Sequence, residues 1–187
     1  MSFDSKKVCK ATTKDGTGLR LGEVRFSYPK LFTKDPTSEK YSLCVLIDKD
    51  NDDAISLIES ATQAAAKIGA AKFWNSKIPP TLKKPLRDGD LEHPDDPAYK
   101  NTWFFNCSNK YAPKVGMWDD DLGARVEATE EDVYPGCYGI VTVQLFPYNQ
   151  QGNRGVGVSL GNVLKTRDGE RLAGSAQSLD DSFGDLD

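Results

Sequence analysis

The residues best equipped for chemistry lie in one run, RDGDLEHPDDP (87–97). Asp88, Asp90, Glu92, Asp95 and Asp96 there surround His93, the only histidine. Clustered carboxylates can hold Mg²⁺ for phosphoryl chemistry, so these acids define one reading of the chain, a metal-dependent nuclease. The competing reading is a solvated turn rich in Asp, Gly and Pro, which the composition of the run favours. A second acidic string, DKDNDDAISLIE (48–59), sets Asp48, Asp50, Asp52 and Glu59 at EF-hand spacing. Asp53 stands where that loop needs glycine, and a strand rather than a helix leads in, so helix capping explains these acids better. GTGLRLG (16–22) and GVGVSLG (155–161) lack the last spacing of a dinucleotide fingerprint and open no helix. With one histidine and no G-x-S-x-G context, no nucleophilic triad can be assembled. Cys9, Cys44, Cys107 and Cys137 form no CxxC pair, so no zinc site is expected. Cys44 and Cys107 lie in apolar runs and read as small buried hydrophobes in a reducing compartment. No metal or cofactor is expected, and the chain is not read as an enzyme.

A second chemistry needs only rings among cations. KFWNSKIPPTLKKPLR (72–87) offers Lys72, Trp74, Lys77, Lys83, Lys84 and Arg87, and NKYAPKVGMW (109–118) offers Lys110, Tyr111 and Lys114. Phosphates need cations and unstacked bases need rings, so the two must alternate along a bound single strand. In GCYGIVTVQLFPYN (136–149), Val141, Val143 and Leu145 fall on an apolar face that belongs to a core. Tyr138, Ile140, Thr142, Gln144, Phe146 and Tyr148 fall on the other, which mixes rings with hydrogen-bonding groups and has no charge. Such a face is a stacking platform for bases, or else a surface covered by an arm, a loop or a second subunit. Lysines snorkelling over core aromatics are the alternative for the basic runs, above all at Trp74. In TWFFNCSNK (102–110) both faces carry a ring, and Trp103 is taken as the stacking one.

These residues must be positioned by one domain of 187 residues, long enough to bury a core. Residues 1–18 are polar and Gly-rich and read as a flexible arm, with a globular domain over 19–175. LRLGEVRFSYP (19–29), KYSLCVLID (40–48), 102–110, APKVGMWD (112–119), 136–149 and GVGVSLGNVLK (155–165) read as strands. One long helix follows Asp50–Asp53 and is expected to close at Gly69. EATEEDVYPG (127–136) suggests a short helical turn. Five prolines between 75 and 101 exclude both helix and central strand there. Five to seven strands with one good helix predict a mainly β fold, a small antiparallel barrel. No apolar h-region or membrane-length run is present, so a soluble protein of the cytoplasm is expected.

The last ten residues, SLDDSFGDLD, place Asp180, Asp181, Asp185 and Asp187 around Phe183. The chain has 28 acidic and 24 basic side chains, so without those four aspartates the body is neutral. Residues 176–187 read as a disordered acidic tail. Either the tail only solubilises, or its carboxylates imitate phosphates and its ring imitates a base.

FSYPKLF (26–32), PLRDGD (85–90), HPDDPAYKNTWFFNCSNKYAPKV (93–115) and VYPGCYGIVTVQLFPYNQQGNRGVGVSLGNVLKTRDGERL (133–172) together resemble a family of bacteriophage single-stranded DNA-binding proteins. The resemblance runs from about residue 22 to the end. It implies an OB-fold barrel that coats single-stranded DNA without sequence preference in phage replication or recombination, in the host cytoplasm. Duplex binding or strand annealing are variants of the same reading. The tail is similar to those that recruit replication proteins and compete with DNA for the cleft. Asn149 and Arg154 join the candidate contacts because they sit in the matching block beside the platform strand. A monomer or homodimer is expected. A virion structural protein, with the aromatic face as a subunit interface, is the remaining alternative.

Overall fold

The computed structural model describes residues 3–172. Its main sheet curls into a barrel. In chain order the elements are α1 (Ser5–Val8), β1 (Lys10–Ala11), β2 (Gly18–Lys30), β3 (Tyr41–Asp48), α2 (Asp52–Lys72), β4 (Arg87–Asp88), α3 (Gly89–Glu92), a 3₁₀ turn (Pro97–Tyr99), β5 (Thr102–Asn109), β6 (Val115–Asp119), β7 (Ala124–Glu127), β8 (Tyr138–Gln150) and β9 (Asn153–Arg167). Strands β5, β3, β2, β8 and β9 pair antiparallel in that order, and a parallel contact between β5 and β9, Ser108 opposite Ser159, closes the circuit. The expected barrel is therefore present, with one parallel seam. The Asn109 side-chain amide stitches that seam by donating to the Leu160 carbonyl at 3.0 Å.

Strand alternation fills the interior. Leu43, Val45 and Ile47 of β3 point inward with Phe105 and Cys107 of β5 and Val141, Val143 and Leu145 of β8. In β2 the inward set changes parity, from Leu19 and Leu21 to Val24 and Phe26. A register shift between Leu21 and Val24 makes the change, so one strand serves both halves of a strongly bent barrel. Helix α2 closes one end through Ala54, Ile58, Ala61 and Ala65. It starts where expected: Asn51 caps it by accepting from the Ala54 amide, with Asp52 and Asp53 in the first turn. It runs past Gly69 to Lys72 because Gly69 is a packing residue there. A Cβ on Gly69 would lie 2.6 Å from the Trp74 ring and 2.7 Å from Pro147.

Other sequence expectations are adjusted. Residues 5–11, assigned to a flexible arm, form α1 and β1, with Val8 and Cys9 buried and the Arg20 guanidinium donating to the Val8 carbonyl at 2.7 Å. The stretch 127–136 forms the expected single turn: the Val133 amide donates to the Thr129 carbonyl, and Asp132 accepts from the Thr129 amide. Strand β7, which pairs with β6 as a hairpin, was not expected. All four cysteines are free and buried, and burial pushes each thiol up, Cys44 to about 11. No described helix is long and apolar enough to cross a membrane.

Candidate nucleic-acid interface

Five-stranded barrels of this connectivity take oligonucleotides across their second and third strands, between the loops that join strands one to two and four to five. Here those strands are β3 and β5. Alternation turns Ser42, Cys44 and Leu46 of β3 outward beside Phe104, Asn106 and Ser108 of β5. The middle of this face is sealed. Cys44, Leu46, Tyr99 and Phe104 bury one another, with Leu172 packed against them. The His93 ring lies 4.1 Å from Tyr99 and 5.3 Å from Phe104, and the Arg87 guanidinium is 5.1 Å from the Phe104 ring. Burial, then neighbouring Cys44, push the Tyr99 hydroxyl pKa up.

The acidic run of 87–97 builds this cover and no metal site. Lys49 Nζ donates to Asp88 at 2.8 Å and to Asp90 at 2.6 Å, and it holds both carboxyls below the usual range. Arg87 binds Glu92 through two nitrogens, and Asp96 caps the 3₁₀ turn by accepting from the Ala98 amide. Among the described residues, no group of three or more metal-ligating side chains occurs. Asp88, Asp90, Glu92 and Asp96 are caps and ion-pair partners that strap 87–99 over β5.

Rings and cations gather at both ends of the β3/β5 face. At the β2–β3 end, Tyr28 is 57 % exposed on a backbone with φ +45°, at the register break between Ser27 and Lys30. Phe32 is exposed, Lys34 Nζ sits 5.9 Å over the Tyr41 ring, and Tyr41 pairs with Asn109 at the end of β5. Just beyond, Lys110 Nζ lies 5.1 Å from the ring of Tyr111, which is 69 % exposed. At the other end the β8–β9 hairpin carries Tyr148, Asn149 and Arg154. Lys83 is strung along the hairpin: its amide donates to the Arg154 carbonyl, its carbonyl accepts from Val156, and its Nζ reaches Asn153 at 3.3 Å. Gly155 is needed there, because a Cβ would lie 2.8 Å from the Lys83 backbone carbonyl.

The remaining predicted contacts divide. Lys72 and Lys77 are exposed near the end of α2. Trp74 is 3 % exposed, packed with Ala66, Ala70 and Leu82, so it has no ring face for a base. Trp103 turns toward α2, where it lines a cleft of about 510 Å³ with Lys84, Leu86 and Gln63, and Lys49 sits over its ring at 5.2 Å. Phe104 takes the outward position instead. Tyr138 lies between the guanidiniums of Arg25, at 5.3 Å, and Arg167, at 3.7 Å. Phe146 is exposed against Gly157.

The largest difference concerns the platform strand. In the circuit β5–β3–β2–β8–β9, β8 is two strands away from both β3 and β5. Its outer face is thus on the far side of the barrel from the β3/β5 face, and the predicted residues form two surfaces. The middle of β8 floors a separate cleft of about 970 Å³, walled by the β6/β7 hairpin and including Lys114. Sequence reasoning missed Tyr28, Phe32 and Tyr41; the signal for Tyr28 is an aromatic residue before Pro29 at the end of an alternating strand.

Known proteins share this fold and this sequence pattern. The family model described as Enterobacter phage Enc34, ssDNA-binding protein, matches residues 17–187. Putative protein p50 of Acyrthosiphon pisum secondary endosymbiont phage 1 is 30% identical over 177 residues, covering 90% of this chain and 93% of that protein. Among solved structures, the single-stranded DNA-binding protein from bacteriophage Enc34 in complex with ssDNA superposes with a TM-score of 0.71 at 22% identity, over 88% of this chain and 97% of that one. Gp2.5, a single-stranded DNA-binding protein of bacteriophage T7, superposes with a TM-score of 0.54 at 16% identity, over 90% and 93% of the two chains. These two structures share the fold.

Proposed function

The chain belongs to the family of the Enterobacter phage Enc34 ssDNA-binding protein, and from that premise we propose that it binds single-stranded DNA without sequence preference, coating it during phage replication or recombination in the host cytoplasm. The observation that carries the reading is the gathering of rings and cations at both ends of the β3/β5 face, with exposed rings at one end and the half-buried Tyr148 at the other. Tyr28, Phe32, Lys34, Lys110 and Tyr111 lie at one end, and Lys83, Tyr148, Asn149 and Arg154 at the other. Stacking is indifferent to base identity because every base has a π-face, and backbone cations are indifferent to sequence. A strand crossing from Tyr28 to Arg154 passes the plug of Tyr99, His93 and Phe104.

The acidic tail belongs to this proposal. Asp180, Asp181, Phe183, Asp185 and Asp187 lie outside the described residues, but the chain leading to them is placed. The Glu170 carbonyl accepts from Arg25 at 2.6 Å, the Leu172 amide donates to the Pro135 carbonyl, and the Leu172 side chain packs on the Cys44–Phe104 cluster. The described chain therefore ends at Leu172 on the β3/β5 face. In this reading the tail carboxylates compete with phosphates there, and bound DNA frees them for replication proteins. Deletion of residues 176–187 is expected to tighten oligo-dT binding about fivefold or more at low salt, the lower end of an ordinary coupling between sites. Fluorescence anisotropy with labelled oligo-dT measures it. Equal affinities for the full and shortened chains would remove the competition, and no binding by either would remove the coating function itself.

A further inference from the structure

We propose that the cleft on the β8 side of the barrel is a second binding surface for single-stranded nucleic acid, so that one molecule holds two strands at once. The inference rests on the single-strand-binding function above and adds a site to it.

The cleft has a definite construction. Its floor is the outward face of β2, β8 and β9, where Ile140 pairs with Leu164 and Arg20 pairs with Thr142. Its wall is the β6/β7 hairpin, held against β9 by a parallel register, Val115 opposite Val163. The space is about 970 Å³, at the upper end of ordinary ligand sites.

Its chemistry is that of the first site. Three cations line it, Arg20, Lys114 and Arg125, against one carboxylate, Glu127. Arg20 is anchored on the Val8 and Lys7 carbonyls, and no ion pair among the described residues occupies it, Lys114 or Arg125. This differs from Lys49, Arg87 and Arg167, each tied to a carboxylate. Trp118 supplies a half-buried ring, and Ile140 and Leu164 an apolar floor. Phosphates, bases and sugars ask for these three things, and a folded polycationic surface with one ring suits an unpaired strand better than a duplex, whose bases are hidden. The position argues for a second strand rather than a continuation of the first, because β8 is opposite β3 and β5 in the closed circuit. Two strands held back to back on one barrel would bring complementary sequences to high local concentration.

Native mass spectrometry of the full chain with short oligo-dT tests this directly. Complexes with one and with two oligonucleotides on a single protein molecule are expected. The double reversal Lys114→Glu/Arg125→Glu changes two exposed side chains, so the fold should survive. It is expected to abolish the two-oligonucleotide complex and leave the affinity of the first binding event unchanged. Trp118→Ala should weaken the second event about 5- to 150-fold, the range for one stacked base. The proposal is overturned if the wild-type chain never takes a second oligonucleotide, or if the double reversal leaves that complex intact. It is also overturned if the reversal removes the first event, because the cleft is then the primary path. A synthetic peptide of residues 176–187 supplies the remaining arm. If that peptide binds, the reversal abolishes its binding, and no second oligonucleotide is taken, the cleft is a dock for the acidic segment. If no oligonucleotide binds at all, the failure belongs to the function proposed above rather than to the second site.

Discussion

Replacing Tyr28 by Ala is expected to weaken oligo-dT binding about 5- to 150-fold, the equivalent of the ~1–3 kcal/mol of one base stacked on a ring. Tyr28 is more than half exposed, at the register break that leads into the β2–β3 connection. Its ring is not part of the core, so its loss should leave the unfolding midpoint nearly unchanged. Alanine meets no new strain, because the positive φ at this position is as unfavourable for tyrosine as for alanine. Anisotropy measures the affinity and urea unfolding checks the fold. A Tyr28→Ala protein with native stability and native affinity would move the stacking site elsewhere. Trp74→Ala is the opposite kind of change: Trp74 is buried, so its removal should cost stability while leaving the DNA contacts of the folded protein in place.

Phe105→Ala should cost about 3–5 kcal/mol of stability, the usual range for removing a buried aromatic ring. Phe105 is 1 % exposed, between Val45 of β3 and the core residues of β8 and β9, with no polar group to compensate for the cavity. Domains are stable by only about 5–15 kcal/mol, so this change should lower the urea midpoint sharply or unfold much of the protein at 37 °C. The adjacent ring is a useful contrast. Phe104 points outward into a small cluster with Tyr99 and His93 above it, and the neighbours of a lost Phe104 ring can relax into the gap more easily. Equal losses at both positions would contradict the assignment of inner and outer faces on β5.

Much of this architecture is legible in the sequence because alternation is a local property. The strands of 40–48, 102–110, 136–149 and 155–165 lie where their period-two patterns place them, and the Asn51-capped start of α2 follows from its acids. Three features are not legible, each for a non-local reason. Gly69 looks like a helix end, but its lack of a side chain serves Trp74 and Pro147 across the interface. The acids of 87–97 look like a metal cluster, but their partners Lys49 and Arg87 come from elsewhere in the fold or the far side of a turn. The aromatic face of β8 looks like part of one site with the basic runs. Only barrel closure through the β5/β9 seam reveals that it points away from β3 and β5. The choice between Trp103 and Phe104 belongs here too, since a strand with a ring on each face does not say which face is outward.

The nuclease reading and the virion reading both lose their footing on particular residues. Asp88, Asp90 and Glu92 are spent on Lys49 and Arg87, and the family to which the chain belongs is defined by a single-stranded DNA-binding protein.

The most direct test of the central claim is an anisotropy titration of labelled oligo-dT with the full chain over a series of salt concentrations. Binding to the β3/β5 face predicts a saturable rise in anisotropy. Cations against phosphates predict a logarithmic affinity that falls linearly with the logarithm of salt, with a slope of about −2.8 if four of the end-lying lysines and arginines each meet a phosphate. Anisotropy that does not rise at low salt, or an affinity that salt leaves untouched, would contradict the account.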